Sequence, residues 1–448
     1  MSSPDFVLRS RRVLTREGLR PASITVRGGR IHDVAASEEV RAGGDLPLED
    51  VGEAVVFPGL IDTHVHVNEP GRAHWEGFET ATAAAAAGGI TAIVDMPLNS
   101  IPPTTSIAGL REKLDAAAGK ISVDVGFWGG VVPGNAAELG PLRAAGVSGF
   151  KCFLAPSGVD EFPEVSDGVL DGAMEKLAEL GVPLLVHAED PARLRPPSGP
   201  PRAHASWLAS RPPEAEASAI EKVLAACRRT GARVHVLHLS SATALDAIRR
   251  AKDDGLPVTA ETCAHYLTFA AEEVPDGATA FKCAPPIRGR ENRERLWDGL
   301  RSGDIDMVVS DHSPSSPEEK RLDTGDFFQA WGGIASLELT LAAVSTGARE
   351  REISIARVAD WMSAAPARLA GLERFRGAIA AGRDADLVVW DPDAEWTVDP
   401  ARMFQRHRLT PYAGARLRGR VLATYLRGEK IHEGGRLVGP RRGELILC

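Results

Sequence analysis

Short apolar runs alternate with helical stretches along most of the chain. The runs are rich in β-branched and other apolar residues, and the segments between them are long enough to hold a helix and rich in alanine, leucine and glutamate. This alternation is typical of parallel strands joined by crossover helices. The eight runs are GLIDTHVHV, ITAIVDMP, ISVDVGFWGG, VSGFKCFLA, VPLLVHAED, RVHVLHLSS, LPVTAETCAHYL and DMVVSDHSP.

Eight such units predict an α/β fold, a TIM-type (β/α)8 barrel. The alternative is an open doubly wound sheet, but no G-x-G-x-x-G follows the first strand to support it. The clearest helix is ETATAAAAAGG, residues 79–89, because alanine favours helix and Gly88-Gly89 offer a left-handed stop.

Both ends of the chain have a different pattern. The pattern predicts short alternating strands with glycine turns and no helical period in residues 6–34, 377–391 and 421–438. Because neither end is large enough to bury a sheet alone, we expect them to pair into one small β-domain, a β-sandwich beside the barrel. The predicted boundaries are 1–57 for its N-terminal part, 58–371 for the barrel, and 372–448 for its C-terminal part and tail.

Composition and charge narrow the class of protein. The chain has 448 residues, of which 44% are hydrophobic, and a formal net charge of -9. An acidic chain without a basic cluster disfavours nucleic acid and favours a small-molecule substrate. No apolar run is long enough for a membrane span, the N-terminus lacks a secretory signal, and five scattered cysteines suggest reduced thiols. We expect a cytoplasmic protein.

Ionisable or metal-binding side chains stand at the C-terminal ends of several predicted strands. In a barrel those ends meet at one mouth, where active sites of this architecture lie, so distant residues would converge there. The alternative is that each is separately a capped or solvated strand end. The convergence favours a metal site. The residues are His64 and His66 on the first run, Lys151 on the fourth, His187 on the fifth, His238 on the sixth and Asp311 on the eighth.

Two further histidines compete for ligand roles. His235 and His238 lie three residues apart on one strand and so face opposite sides, which leaves one as a ligand. His238 is nearer the C-terminal end and is preferred, whereas His235 is expected to pack against the helical layer. His265 also ends a strand and remains the most serious competitor.

Lys151 poses a chemical problem, because a protonated amine has no lone pair with which to bind a cation. A neutral amine can react with CO2 to give a carbamate, N6-carboxylysine, whose two oxygens can bridge two metals. The alternative is a lysine that forms an ion pair with a carboxylate or with substrate.

The segments HVH, FKCF, LVHAED, VLHLSS and SDHSP together resemble the cyclic amidohydrolases, the family of dihydropyrimidinases, hydantoinases, dihydroorotases and allantoinases. GAIAAGRDADLVVWDPD resembles the segment with which these enzymes return to their small β-domain. The resemblance implies two divalent ions held by the six residues, with carboxylated Lys151 between them. Zinc is the first expectation, and cobalt, manganese or iron also suit these ligands. It also implies a homotetramer.

Within the family, VDMPLNSIPPTT, GFKCFLAPSGVDEFP, KCAPPIR, AWGGIASLE and HRLTPYAGARLRGRV are similar to the allantoinase branch. Dihydroorotases typically have arginine where this chain has Asn68. Dihydropyrimidinases and hydantoinases usually have a tyrosine near the position of Pro156. The resemblance therefore implies opening of allantoin to allantoate, with Asp311 moving the proton. A hydantoinase or dihydropyrimidinase is the alternative, and a non-catalytic binding relative is a third.

Contacts to substrate are expected from loops around the same mouth. The candidates are Asn99, Ser157, Ala284 and Gly333, with Ala284 acting through its backbone because hydantoinases often have serine there. Asn99 and Ser157 could instead be turn and cap residues, which is the more common use of both types.

Overall fold

A computed structural model describes residues 4–36 and 45–448. Its strands, numbered in chain order, are β1 (Phe6–Thr15), β2 (Gly18–Arg27), β3 (Arg30–Ala36), β4 (Leu48–Asp50), β5 (Val55–Pro58), β6 (Leu60–Val65), β7 (Ile90–Asp95), β8 (Asp124–Phe127), β9 (Gly129–Gly130), β10 (Phe150–Phe153), β11 (Leu184–His187), β12 (Val234–Val236), β13 (Val258–Cys263), β14 (Met307–Val309), β15 (Leu387–Thr397), β16 (Arg416–Leu426), β17 (Glu429–Glu433) and β18 (Arg436–Leu437).

The helices lie mostly between the central strands. They are α1 (Phe78–Ala87), α2 (Ile107–Ala117), α3 (Leu139–Ala144), α4 (Asp167–Leu180), α5 (His204–Ser210), α6 (Pro213–Thr230), α7 (Leu245–Asp253), α8 (Ala264–Thr268), α9 (Arg290–Ser302), α10 (Thr340–Glu350), α11 (Ile355–Ala359) and α12 (Ala365–Ala370), with a π-helical turn at Asp360–Ala364. In α1 the predicted stop is confirmed at Gly89, whose φ of 82° is left-handed.

The eight predicted runs form the parallel barrel. Strands β6, β7 and β8 pair in order, and β9 to β14 pair in order. Trp128 separates β8 from β9, so these two short strands are one run of chain that passes from one neighbour to the next. The barrel closes where Val65 bridges His312 in parallel and His66 N donates to His312 O at 2.8 Å. The TIM-type barrel prediction is confirmed.

Strands from both ends of the chain share the second sheet. Its order is β18-β17-β16-β15-β5-β1-β2-β3, with β4 beside β1. Strand β5 joins the two ends, because it pairs parallel to β1 and antiparallel to β15. The sheet has its own apolar core, which includes Leu8, Ile24, Leu387 and Tyr425. The small β-domain built from both termini is therefore confirmed.

One part of the terminal prediction is wrong. Residues 377–386 were expected to alternate as a strand, but β15 begins only at Leu387 and the preceding residues form turns. The turns are held by contacts rather than by a ladder: Asp384 bridges Arg30 singly, and Ala385 N donates to Gly29 O at 2.9 Å.

Candidate active site

All six predicted metal-binding residues line one cavity at the C-terminal mouth of the barrel. The cavity has a volume of about 340 Å3. Its ligand candidates come from the ends of strands that lie far apart in sequence, as the barrel geometry requires. These residues are His64 in β6, His66 just after it, Lys151 in β10, His187 in β11, His238 two residues past β12, and Asp311 two residues past β14.

Asp311 lies next to the two histidines at the end of the first barrel strand. Its Oδ1 is 3.2 Å from His64 Nε2 and 3.6 Å from His66 Nε2. Lys151 Nζ lies 3.5 Å from His64 Nε2. The His64, His66 and Asp311 ligand atoms all lie within 4.8 Å of one another, and all three residues are buried.

The other two histidines form a second pair. His187 Nδ1 and His238 Nε2 lie 2.9 Å apart, and the rings of His64 and His238 are 5.3 Å apart between centroids. Lys151 Nζ is 4.9 Å from the centre of the Phe153 ring, which stacks on His187. The lysine therefore lies between the two groups of donors.

The protonation states suit cation binding. Burial lowers the pKa of His187 and lowers those of His66 and His238 further, so these imidazoles are neutral and keep a lone pair. Burial also lowers the pKa of Lys151 to about 8 and raises that of Asp311. Neutral imidazoles and a carboxylate that converge in one cavity fit divalent metal ions.

Two of the candidates have a strained backbone. His238 has φ of 34° and Asp311 has φ of 44°, values that side chains other than glycine rarely adopt. His238 N donates to Glu261 Oε1 at 3.2 Å, and Ser310 N donates to Asp62 Oδ2 at 3.0 Å just before Asp311. Buried carboxylates thus hold both turns, and strain of this kind is common at functional sites.

Glu261 in β13 supports the site and was missed from the sequence. Its Oε1 lies 2.5 Å from His64 Nδ1, and its Oε2 lies 2.9 Å from His235 Nε2. Burial raises the pKa of Glu261, but the imidazoles of His64 and His235 lower it to about 2. A charged residue on the inward face of VTAETC was the signal that could have identified it.

His235 does not pack as expected. It was predicted to face the helical layer, but its Nδ1 lies 2.7 Å from Thr259 Oγ1 and its Nε2 contacts Glu261. His235 pairs with Thr259 in register, and Glu261 lies on the same face as Thr259. The residue therefore points into the barrel below the cavity.

His265 lies beside Asp311 but outside the cavity wall. Cys263, His265 and Asp311 have ligand atoms within 4.8 Å of one another, so it remains a possible donor. Neither ring nitrogen of His265 has a hydrogen-bond partner among residues 4–36 and 45–448. It does not belong to the residues that line the cavity.

Three of the four predicted substrate contacts reach the cavity. Asn99, Ser157 and Ala284 line it, whereas Gly333 does not, and its neighbour Gly332 does. Gly333 N donates to Lys282 O at 2.8 Å and its carbonyl accepts from Lys320. Its backbone polar groups are therefore already bonded inside the protein.

The remaining contacts differ in what they offer a ligand. Ser157 Oγ lies 2.6 Å from Phe162 O and 3.2 Å from Val159 O, which fits the turn role left open by the sequence. Asn99 Nδ2 lies 3.3 Å from His66 Nδ1, and Asn99 Oδ1 has no partner within the described chain. Asn99 is thus the better polar candidate.

Four further residues that were not predicted as site residues also line the cavity. They are Trp207, Arg211, Lys282 and Trp331. Arg211 donates to both oxygens of Glu189, at 3.0 and 2.6 Å, and Glu189 Oε2 lies 2.7 Å from His187 Nε2.

No helix in the described residues is long and apolar enough to cross a membrane.

Comparison with known proteins agrees with this geometry. Residues 55–431 match the family model described as the amidohydrolase family. The chain is 56% identical over its whole length to an allantoinase of Streptomyces avermitilis, with 99% of that protein covered. It is 45% identical to an allantoinase of Saccharomyces cerevisiae, covering 96% of this chain and 95% of that one. The fold matches an L-hydantoinase (dihydropyrimidinase) from Arthrobacter aurescens with a TM-score of 0.92, at 31% identity and full coverage of both chains.

Proposed function

The chain belongs to the amidohydrolase family, and we propose that it hydrolyses the hydantoin ring of allantoin to give allantoate. The observation that carries the proposal is full-length similarity to proteins named allantoinase in a chain whose barrel mouth gathers four imidazoles, a lysine and an aspartate. The cavity of about 340 Å3 is of the size that small-molecule sites have.

The same six residues are proposed to hold two divalent ions. His64, His66, His187, His238 and Asp311 supply nitrogen and oxygen donors, and Lys151 would join the two ions as N6-carboxylysine after reaction with CO2. Zinc is the first choice, and cobalt, manganese and iron suit the same donors. The position of Lys151 between the two groups of donors supports this role.

Two bound ions would polarise the ring carbonyl and make hydroxide available near pH 7. The protein then has to move one proton. Asp311 accepts the proton of the attacking hydroxide as the new C–O bond forms, and delivers it to the ring nitrogen as the C–N bond breaks. Its carboxylate can do this because it faces the cavity beside His64 and His66.

Polar groups near the donors are proposed to orient the ring and its ureido substituent. Asn99 Oδ1, which has no partner among the described residues, can accept from a ligand N–H. Ala284 lines the cavity next to the cis bond Ala284-Pro285, and its backbone can bond the ring. Ser157 is a weaker candidate, and Gly333 could act only indirectly.

A hydantoinase or dihydropyrimidinase acting on another cyclic amide is the second candidate. The full-length fold match to an L-hydantoinase favours it, although at lower identity than the proteins named allantoinase. A binding protein without activity is a weaker third reading, because the donors and Asp311 are all present in the cavity.

The test is ring opening by purified protein loaded with metal and bicarbonate. Allantoin, hydantoin, dihydrouracil and dihydroorotate are supplied at equal concentration, and the ring-opened product of each is measured. Faster formation of allantoate than of any other product supports the proposal. Preference for dihydrouracil or hydantoin would select the second candidate, and metal-loaded protein inactive on all four rings would reject both.

The assembly and compartment are further parts of the proposal. We propose a homotetramer in the cytoplasm, on the basis of the resemblance to cyclic amidohydrolases. Light scattering should give a mass four times the 47.6 kDa of one chain. A mass of one or two chains at micromolar concentration would reject the tetramer.

A further inference from the structure

The cavity wall at residues 328–332 has no regular secondary structure. Phe328, Gln329, Ala330, Trp331 and Gly332 all line the cavity, and the segment consists of turns and irregular chain. A loop of this kind keeps one shape only if its amides and carbonyls find partners. The shape of this wall therefore depends on what holds its backbone.

Two buried lysines hold the carbonyls of this loop. Lys282 Nζ donates to Phe328 O at 3.3 Å and to Ala330 O at 2.5 Å. Lys320 Nζ donates to Trp331 O at 3.0 Å and to Gly333 O. Four carbonyls between residues 328 and 333 thus bond to one ammonium group or the other.

The two lysines are also connected to each other. Lys320 Nζ donates to Lys282 O at 3.3 Å, and Gly333 N donates to the same carbonyl at 2.8 Å. Lys282 Nζ lies 4.2 Å from the ring centre of Trp207, which itself lines the cavity. Lys282 belongs to KCAPPIR and Gly333 to AWGGIASLE, so the lysines join two of the segments that carried the family resemblance.

Neither ammonium group has a carboxylate oxygen within 4.0 Å in the described parts of the chain. Lys282 is 5% exposed and Lys320 is 3% exposed. Burial lowers the pKa of Lys282 to about 8 and that of Lys320 to about 7. Burying a charge without a counter-charge is costly, so the hydrogen bonds to the loop are the compensation that the structure offers.

We propose that Lys282 and Lys320 are positioning residues that hold the 328–333 loop in the shape that binds substrate. Within the described residues, neither ammonium group donates to a proposed metal ligand, and Lys320 does not line the cavity. If the loop binds the substrate and the transition state equally well, a change in its shape raises KM and leaves kcat nearly unchanged. The inference rests on the proposed function only for the choice of substrate.

The test uses Lys282→Met and Lys320→Met in metal-loaded enzyme. Methionine keeps an unbranched side chain and removes the ammonium group. We expect KM for allantoin to rise about 10- to 100-fold, with kcat within about threefold of wild type, because a small displacement of a binding wall weakens binding. Metal content should stay at the wild-type value.

Lys113→Met is the matched control. Lys113 is also buried, but its Nζ donates to Asp95 Oδ2 at 2.6 Å and Met96 O at 2.9 Å, and it does not line the cavity. Its loss should lower thermal stability without a selective rise in KM. Lys282→Gln and Lys320→Gln retain a donor and should recover part of the lost affinity. Each replaces the methionine variant at the same position if that variant does not fold.

The outcomes separate this inference from the proposed function. Wild-type KM in the folded lysine variants, or a fall in kcat as large as the fall in kcat/KM, would overturn the positioning role. If wild type opens hydantoin or dihydrouracil but not allantoin, the proposed function fails and the same KM comparison with that ring decides the inference. Metal-loaded wild type that opens no ring overturns both.

Discussion

Asp311 is the residue on which the proposed proton transfer depends. We predict that Asp311→Asn lowers kcat about 1,000-fold, because an amide cannot accept and return the proton. The fold and most of the metal should remain, since five other proposed ligands are unchanged. Steady-state kinetics and metal analysis on the same preparation provide the measurement.

Asp306→Asn is the control for that variant. Asp306 stands at the other end of β14, where its carboxylate accepts from Lys252 Nζ and Ala260 N at 2.7 Å each. The Asp306→Asn variant should keep the wild-type kcat. An Asp311→Asn enzyme that retains near-normal turnover would exclude Asp311 as the proton carrier.

Glu261 gives a second prediction for a single residue. Glu261 bonds His64 through Nδ1, so that Nε2 is directed to Asp311 and Lys151, and it also accepts from the His238 backbone. Glu261→Gln should weaken metal binding about 10- to 100-fold, as loss of a partner behind a metal ligand usually does. Competition with a chromogenic chelator measures the affinity.

Asp124→Asn is the comparison for Glu261. Asp124 is also a buried carboxylate, but it begins β8 at the far end of the barrel and bonds Arg376 and Arg427. The Asp124→Asn variant should have a lower free energy of unfolding and an unchanged metal affinity. Equal metal affinity in Glu261→Gln and wild type would contradict the support role.

The sequence predicted side chains that follow strand periodicity and missed those that depend on register between strands. His64 and His66 could be placed together because a strand repeats every two residues. The partnership of Glu261 with His235 needs the β12–β13 register, which pairs His235 with Thr259. Lys282 and Lys320 lie in irregular segments, where no period exists to place them.

Among the elements, the C-terminal tail pairs with one edge of barrel strand β8. Strand β8 pairs with β7 on one side only, and the tail bonds its other edge. Val125 N donates to Glu444 O at 3.0 Å, and Ile446 N donates to Val125 O at 2.8 Å. Cys448 N donates to Gly146 O at 2.9 Å. The tail therefore covers an edge that would otherwise be open to water.

We predict that deletion of residues 443–448 lowers the free energy of unfolding by about 2–4 kcal/mol, since several backbone hydrogen bonds worth about 1 kcal/mol each are lost. Turnover at 25 °C should persist, because the tail meets β8 near its start and the cavity lies at the strand ends. Thermal melting and kcat are the measurements. Leu447→Ala, with a side chain 48% exposed, should melt like wild type, and a deletion that also does so would contradict the prediction.

The sequence identified strands more easily than the turns between them. The barrel strands are apolar runs bounded by helix signals, so all eight could be found. The segment 377–386, GAIAAGRDAD, leads directly into the apolar run of β15 and so resembled its beginning, yet Ala385 N bonds to Gly29 O in a turn. Alternation without a partner strand is therefore weak evidence, because the partner decides whether a ladder forms.

At the scale of the whole molecule, the residues that line the cavity come from both groups of paired barrel strands, β6 to β8 and β9 to β14. The proposed ligands come from β6 in the first run of paired strands and from β10, β11, β12 and β14 in the second, or from the residues just after them. Ions held there would link the two groups of strands, which otherwise meet where β8 continues into β9 and at the barrel's closing contacts. Metal binding should thus stabilise the whole barrel.

We predict that removal of metal by a chelator lowers the melting temperature, and that zinc or cobalt with bicarbonate restores it. Free metal at about 1,000 times its Kd contributes about 4 kcal/mol by linkage, because only the folded barrel assembles the donors. Calorimetry with and without metal measures the shift. Lys151→Ala should melt like the metal-free wild type and should not respond to added metal, because its bridging group is gone. If that variant gains as much stability from metal as wild type does, Lys151 does not join the two ions, and the two groups of donors would bind them independently.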